Sequence, residues 1–241
     1  MSRLFLAASL LLVSAAAVAQ TVNAPKIKGG DSWVYRVTTE KGSQGWAQTD
    51  SDVSVAHVDA TTIYLLLKQS GSQQAPIEKL AGIDWSRSRD VNGKQQVVNR
   101  PFDFPLELGK KWQVKFTEAN PNRQYQSETF QTDYSVIGWE DVEVPAGKFR
   151  ALKVEAEGTW TAEVASSNQV AAHAVNVPGS SAVLMQSNRV TPHAVSGRTY
   201  KAFWYVPGVK NFVKSVEENY GSAGIRSERF TNELVSDKLS S

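Results

Sequence analysis

The sequence predicts an all-β fold in a single domain built on antiparallel strands. Short segments that alternate polar and apolar residues recur along the chain. Pro, Gly and Asn turn signals separate them. No composition break marks a linker, and no stretch of the mature chain shows a convincing 3.6-residue apolar period.

In chain order the first element is an export signal. Arg3 gives a positive start, residues 4–18 form an apolar run, and Ala17-Val18-Ala19 supplies the small-x-small pattern of a cleavage site. Cleavage there makes residues 1–19 a signal peptide and Gln20 the mature N-terminus, and places the protein in the periplasm or beyond. The run is shorter than the roughly 20 residues a membrane helix needs, so no membrane span is expected in the mature chain. The sequence has no cysteine, which excludes lipid acylation at a lipoprotein cysteine, disulfides and thiolate metal sites. Of 26 basic residues Arg3 leaves with the signal, so 25 face 24 acidic ones. That balance argues against nucleic acid or an anionic membrane surface as the main partner.

Residues 32–37 and 52–56 alternate as half-buried strands do, and residues 61–67 are apolar and β-branched enough for burial on both faces. Residues 77–83 are the best candidate for a short helix. Asn92-Gly93 marks a tight hairpin between residues 85–91 and 94–98. Pro101 and Pro105 break regularity ahead of a strand at 111–117. Residues 125–138 read either as a strand pair or as one long bent strand. Residues 140–144 and 149–156 flank a second hairpin at Pro145-Ala146-Gly147-Lys148. Val142 and Val144 point one way there, Asp141 and Glu143 the other, giving the pair one wet face. Residues 160–164, 198–206, 209–217 and 225–234 complete the strands, with a third turn at Pro207-Gly208. The small-residue segment 165–197 is either a long edge hairpin or a mobile loop. A weak internal echo joins Gly30-Asp31-Ser32-Trp33 to Gly109-Lys110-Lys111-Trp112. Glycine turns ahead of aromatic strand starts are common in β proteins, and no duplication is inferred.

Nothing in this chain makes a catalytic motif. His57, His173 and His193 lack metal-ligand spacing, and no G-x-S-x-G elbow is present. No metal and no cofactor are expected. Glu140, Asp141 and Glu143 form an acidic cluster that reads as a solvated hairpin edge. The aromatic residues are the remaining candidates. Most suit a strand core, but they could also line a groove that stacks sugars or holds an apolar ligand. Trp46, in a polar stretch, is least easily explained as core, and Trp204, ahead of the third turn, is the second candidate for ligand contact.

Five motifs in order resemble a loose family of uncharacterised exported bacterial β-proteins. They are Gly30–Tyr35 (G-D-x-W-x-Y), Pro105–Trp112 (P-L-x-x-G-x-x-W), the G-x-E-x-V-x-V-P-A-G-x-F-x-A stretch at 138–151, W-Y-x-P-G-V at 204–209, and Val213-Lys214. The resemblance implies a single strongly curved antiparallel sheet, an open or half β-barrel with an apolar concave face. It brings no catalytic residues. The expected function is a non-catalytic envelope protein that binds a lipid or other apolar or amphipathic ligand, or an envelope protein partner, on that concave face. The alternatives are a hydrolase acting on an envelope polymer and a purely structural or assembly factor.

Overall fold

The computed structural model describes residues 21–177 and 180–240, so the expected export segment and cleavage site lie outside the described residues. The strands are β1 (Ser32–Lys41), β2 (Trp46–Val58), β3 (Thr62–Gln69), β4 (Ile77–Gly82), β5 (Arg87–Val91), β6 (Lys94–Asn99) and β7 (Lys111–Ala119). They continue as β8 (Tyr125–Val144), β9 (Gly147–Val164), β10 (Ser167–Val177), β11 (Ser180–Val190), β12 (Ala194–Val206), β13 (Asn211–Tyr220) and β14 (Arg226–Lys238). Helical geometry among the described residues is confined to two short 3-10 turns, Gly42–Gln44 and Pro207–Val209.

Ten strands form one antiparallel sheet in the order β4-β3-β2-β1-β14-β13-β12-β9-β8-β7. Its edges, β4 and β7, do not pair, so the sheet is open and not a closed barrel. The pairs β5–β6 and β10–β11 stand as separate two-stranded sheets.

Local chemistry explains the turns. Asn92 and Gly93 both have positive φ, 54° and 79°, the geometry a two-residue hairpin needs to match strand twist. Val91 and Lys94 pair directly across that turn. Pro145-Ala146 closes β8 onto β9, with Val144 opposite Gly147. At the third turn the left-handed residue is Lys210, φ 63°, rather than Gly208. Residues 125–138 belong to one long strand, β8, which bulges where the register slips between Val136 and Gly138. The helix expected at 77–83 is not there. Residues 77–82 form β4, because Leu67 to Thr62 of β3 offer a full ladder of partners and a six-residue segment gains little from helical bonds alone. The strand at 62–69 is buried at Ile63 and Leu65 and only partly covered at Tyr64, Leu66 and Leu67, so one face rather than both is closed off. Within 165–197 the backbone takes the hairpin form: β10 and β11 pair from Ser167↔Val190 to Val177↔Ser180, off the main sheet.

Alternation gives the large sheet two unlike faces. The inner face carries Trp33, Tyr35, Tyr134, Val154, Phe203 and Val213, all buried. Each such side chain contributes about 1.5–3 kcal/mol by leaving water. The chain covers this face with its own segment between β6 and β7. Phe102 and Leu106 there are fully buried. The Phe102 ring lies 4.9 Å from Tyr205 and 6.0 Å from Phe203, and Phe104 lies 5.3 Å from Tyr205. Leu106 is bridged in both directions to Val22 at the start of the described chain. The β5–β6 hairpin protects the β7 edge. Asn92 donates to the Thr117 carbonyl at 2.8 Å and accepts from the Ala119 N–H at 2.8 Å, and Arg89 pairs with Glu118 at 2.6 Å.

Two of the five sequence motifs, the first and the fourth, meet in this core. Trp33 donates its indole N–H to the Val209 carbonyl at 2.9 Å, and Tyr35 its hydroxyl to the Phe212 carbonyl at 2.8 Å. Asp31, fully buried, accepts from Lys210 Nζ at 2.9 Å, the Lys28 N–H at 2.9 Å and the Ser240 N–H at 2.7 Å. It thus ties both ends of the domain to the turn after β12. Trp112 donates to the Arg100 carbonyl at 2.8 Å and stacks on Tyr134 at 5.4 Å.

Candidate functional site

Trp204 and Trp46 both lie on the outer face, but apart. Trp204 sits opposite Lys153 of β9 and Lys214 of β13. Its indole donates to Glu140 Oε2 at 3.0 Å, and the Lys153 ammonium lies 5.3 Å from its ring centroid. Two of the motifs, around Glu140 and Trp204, therefore touch here. Glu140 is more than a solvated edge, whereas Asp141 and Glu143 are exposed as expected. Trp46 is 70% exposed at the start of β2, opposite Glu40. Four strand spacings separate β2 from β12, about 20 Å, so the two tryptophans do not share a site.

His57 stacks on Tyr64 with centroids 3.8 Å apart, and His193 Nδ1 lies 2.9 Å from the Thr191 carbonyl. The His173 side chain lies outside the described residues. Among the described residues no group of His, Asp and Glu is arranged to hold a metal ion.

The register assembles a different site on the outer face. Asp133 of β8 faces Glu157 of β9, Glu157 faces Tyr200 of β12, and Tyr200 faces Glu218 of β13. One row along, Gln131 faces Thr159, Thr159 faces Arg198, and Arg198 faces Tyr220. Residues directly opposite across a sheet share a face, so these side chains stand together. They line an open groove of about 440 Å³. That volume falls in the range of small-molecule sites, and its walls are polar and apolar in about equal measure.

Several walls are held in place before any ligand arrives. Asp133 accepts from Gln113 at 2.6 Å and Gln131 at 3.3 Å. Tyr200 donates its hydroxyl to Glu155 at 2.9 Å, and Tyr220 donates to Glu218 at 2.6 Å. The Arg198 guanidinium lies 5.0 Å over the Tyr220 ring. Glu218 is also paired with Arg226 at 3.0 Å and Arg229 at 3.5 Å. Glu157 and Arg198, both exposed, make no ion pair among the described residues and keep their hydrogen-bonding capacity.

Two carboxyls at the groove are held ionised. Burial pushes Glu155 up, but hydrogen bonds from Lys153 and Tyr200 and the Lys153 charge outweigh it and set its pKa below the ordinary value. Burial likewise raises Glu218, and hydrogen bonds from Tyr220 and Arg226 with the charges of Arg226 and Arg229 bring it below the ordinary value. Tyr200 moves upward, through burial and then its bond to Glu155, and stays a neutral donor.

Reading the sequence missed this groove. Its residues are the polar alternates of half-buried strands, and that alternation was the available signal. Which polar residue meets which depends on the pairing of β8, β9, β12 and β13.

No protein-family model matches the chain, and no curated protein matches it. Three solved structures are similar in shape. A predicted lipoprotein from Parabacteroides distasonis has 13% identity and a TM-score of 0.45, covering 91% of this chain and 100% of its own. A predicted exported protein with a YmcC-like fold from Bacteroides fragilis has 14% identity and a TM-score of 0.37, with the same coverage. The hypothetical lipoprotein YmcC from Escherichia coli has 10% identity and a TM-score of 0.35, covering 85% of this chain and 84% of its own. Likenesses this distant assign no function. Among the described residues no helix is long and apolar enough to cross a membrane.

Proposed function

We propose that this chain is a non-catalytic binding protein of the cell envelope, exported by residues 1–19, and that it binds in the outer-face groove rather than on the inner face. The carrying observation is the groove itself, about 440 Å³ and lined by oriented polar groups from β8, β9, β12 and β13. The inner face is a poorer seat for an apolar ligand, because Phe102 and Leu106 of the same chain are fully buried against it. The hydrolase alternative needs two carboxyls whose surroundings drive their pKa values apart, one of them upward. Beside the groove Glu155 and Glu218 both move downward, and the pair that is driven apart, Glu118 down and Glu128 up, lies across β7 and β8 outside the groove lining. That supports binding over acid–base chemistry in the groove.

Two measurements test this reading. The intact mass of the exported protein is expected to match a chain beginning at Gln20, and a full-length mass in the membrane fraction would refute the export half. Native mass spectrometry of protein purified from its own envelope is expected to show a bound molecule or partner that Arg198→Glu removes. An adduct that survives this substitution places binding outside the groove.

A further inference from the structure

We propose that the ligand of the groove is a neutral polyhydroxylated ring compound, a saccharide. This rests on the groove being the binding site. The lining discriminates among ligand chemistries. An apolar molecule would strip water from Asp133 and Glu157 without replacing its hydrogen bonds, which is costly for ionised groups. A polyanion would meet two unmatched carboxylates, Asp133 and Glu157, against the one cation, Arg198, in the lining. A simple cation would be drawn to Asp133 and Glu157 but would meet Arg198 in the same wall, while Glu218 is already matched by Arg226 and Arg229.

A sugar ring satisfies all of these groups together. Its hydroxyls donate to carboxylates, and Glu157 has its acceptor sites open while Asp133 is oriented by two amides. Its hydroxyl and ring oxygens accept from Arg198, whose five N–H groups have no carboxylate partner among the described residues. Its apolar C–H face suits the aromatic body of Tyr200, which is anchored through its own hydroxyl on Glu155. Side chains already fixed in this way lose little freedom on binding.

The test is calorimetric titration of the mature protein with cellotriose, maltotriose, chitotriose and mannotriose, each to about 10 mM, tenfold beyond millimolar affinity. Spermidine serves as the cationic probe. At least one trisaccharide is expected to bind saturably. Glu157→Ala and Arg198→Ala, at exposed positions that the fold does not need, are each expected to weaken it about tenfold or more, as loss of a charged hydrogen bond does. Trp46→Ala, on the same face but outside the groove, is expected to leave it unchanged. Thermal unfolding of each variant confirms that it is folded. Saturable spermidine binding that Glu157→Ala removes, with no trisaccharide binding, overturns the saccharide and keeps the groove. A trisaccharide that binds equally to both groove variants overturns the groove. No binding by any trisaccharide overturns the proposal.

Discussion

The two faces of the ten-stranded sheet are built from the same strands by opposite rules. On the inner face, aromatic and aliphatic side chains pack against a segment of the same chain, and the Trp33 indole and Tyr35 hydroxyl are tied to specific backbone carbonyls. On the outer face, charged residues form cross-strand ladders such as Arg36–Asp50 at 3.1 Å and Lys214–Glu233 at 2.7 Å. Those ladders stop at Glu157 and Arg198, which leaves open polar capacity beside two tyrosines. The contrast separates the residues that make the domain from those available to a ligand. The sequence motifs fall in the first group: Asp31, Trp33, Trp112 and Val209 all serve the core and its closure. The groove falls in the second, and none of the five motifs contributes to it.

Graded substitutions sharpen this division. Trp33→Ala, on the inner face, is expected to cost about 3–5 kcal/mol through lost burial and a cavity. Urea denaturation measures it, and a loss below about 1 kcal/mol would mean the inner face is not the core of the domain. Asp31→Ala leaves Lys210 without its carboxylate and frees two backbone N–H groups, at an expected cost of about 2–3 kcal/mol. Restoration of wild-type stability by adding Lys210→Met would show that the unpaired charge accounts for all of that cost.

Trp204→Ala distinguishes an outer-face clamp from a core residue. Loss of the Lys153 ammonium contact and the Glu140 hydrogen bond predicts about 2 kcal/mol. A value of about 4 kcal/mol would move Trp204 into the core class. Tyr200→Phe removes the hydrogen bond to Glu155 and is expected to cost about 1 kcal/mol at neutral pH. This difference depends on acidity in one direction. Glu155 titrates lower folded than unfolded, so its contribution is full above the unfolded glutamate pKa of about 4.3 and fades as pH falls through the folded value. Stability curves of the two proteins should therefore converge below pH ~4. Curves that stay parallel would show that Tyr200 acts by packing alone. Trp46→Ala is expected to change stability by less than about 0.5 kcal/mol, as exposed positions do. A larger loss in thermal unfolding would show that Trp46 is covered in solution.

The strand-by-strand reading was largely legible because side-chain alternation and turn chemistry are local. Asn92-Gly93 announces its hairpin from two residues, and Val142 and Val144 against Asp141 and Glu143 announce a wet and a dry face from four. Residues 77–83 went astray for an equally physical reason. Seven residues carry too weak a period to separate helix from strand, and the available edge of β3 decides the matter. Residue type is what points to Trp204 and Trp46. Type alone does not show that one is engaged by Glu140 and Lys153 while the other stands about 20 Å away on the same sheet.

By itself the sequence determined the all-β class, the turns, and which alternate residues are apolar, since each follows from neighbours within a few positions. Only the tertiary structure decided which strands pair, that the sheet stays open between β4 and β7, and that residues 100–110 cover the inner face. It also decided the groove. Asp133, Glu157, Tyr200 and Glu218 come from four strands and meet through register, and a shift of one residue in any pairing would send one of them to the other face.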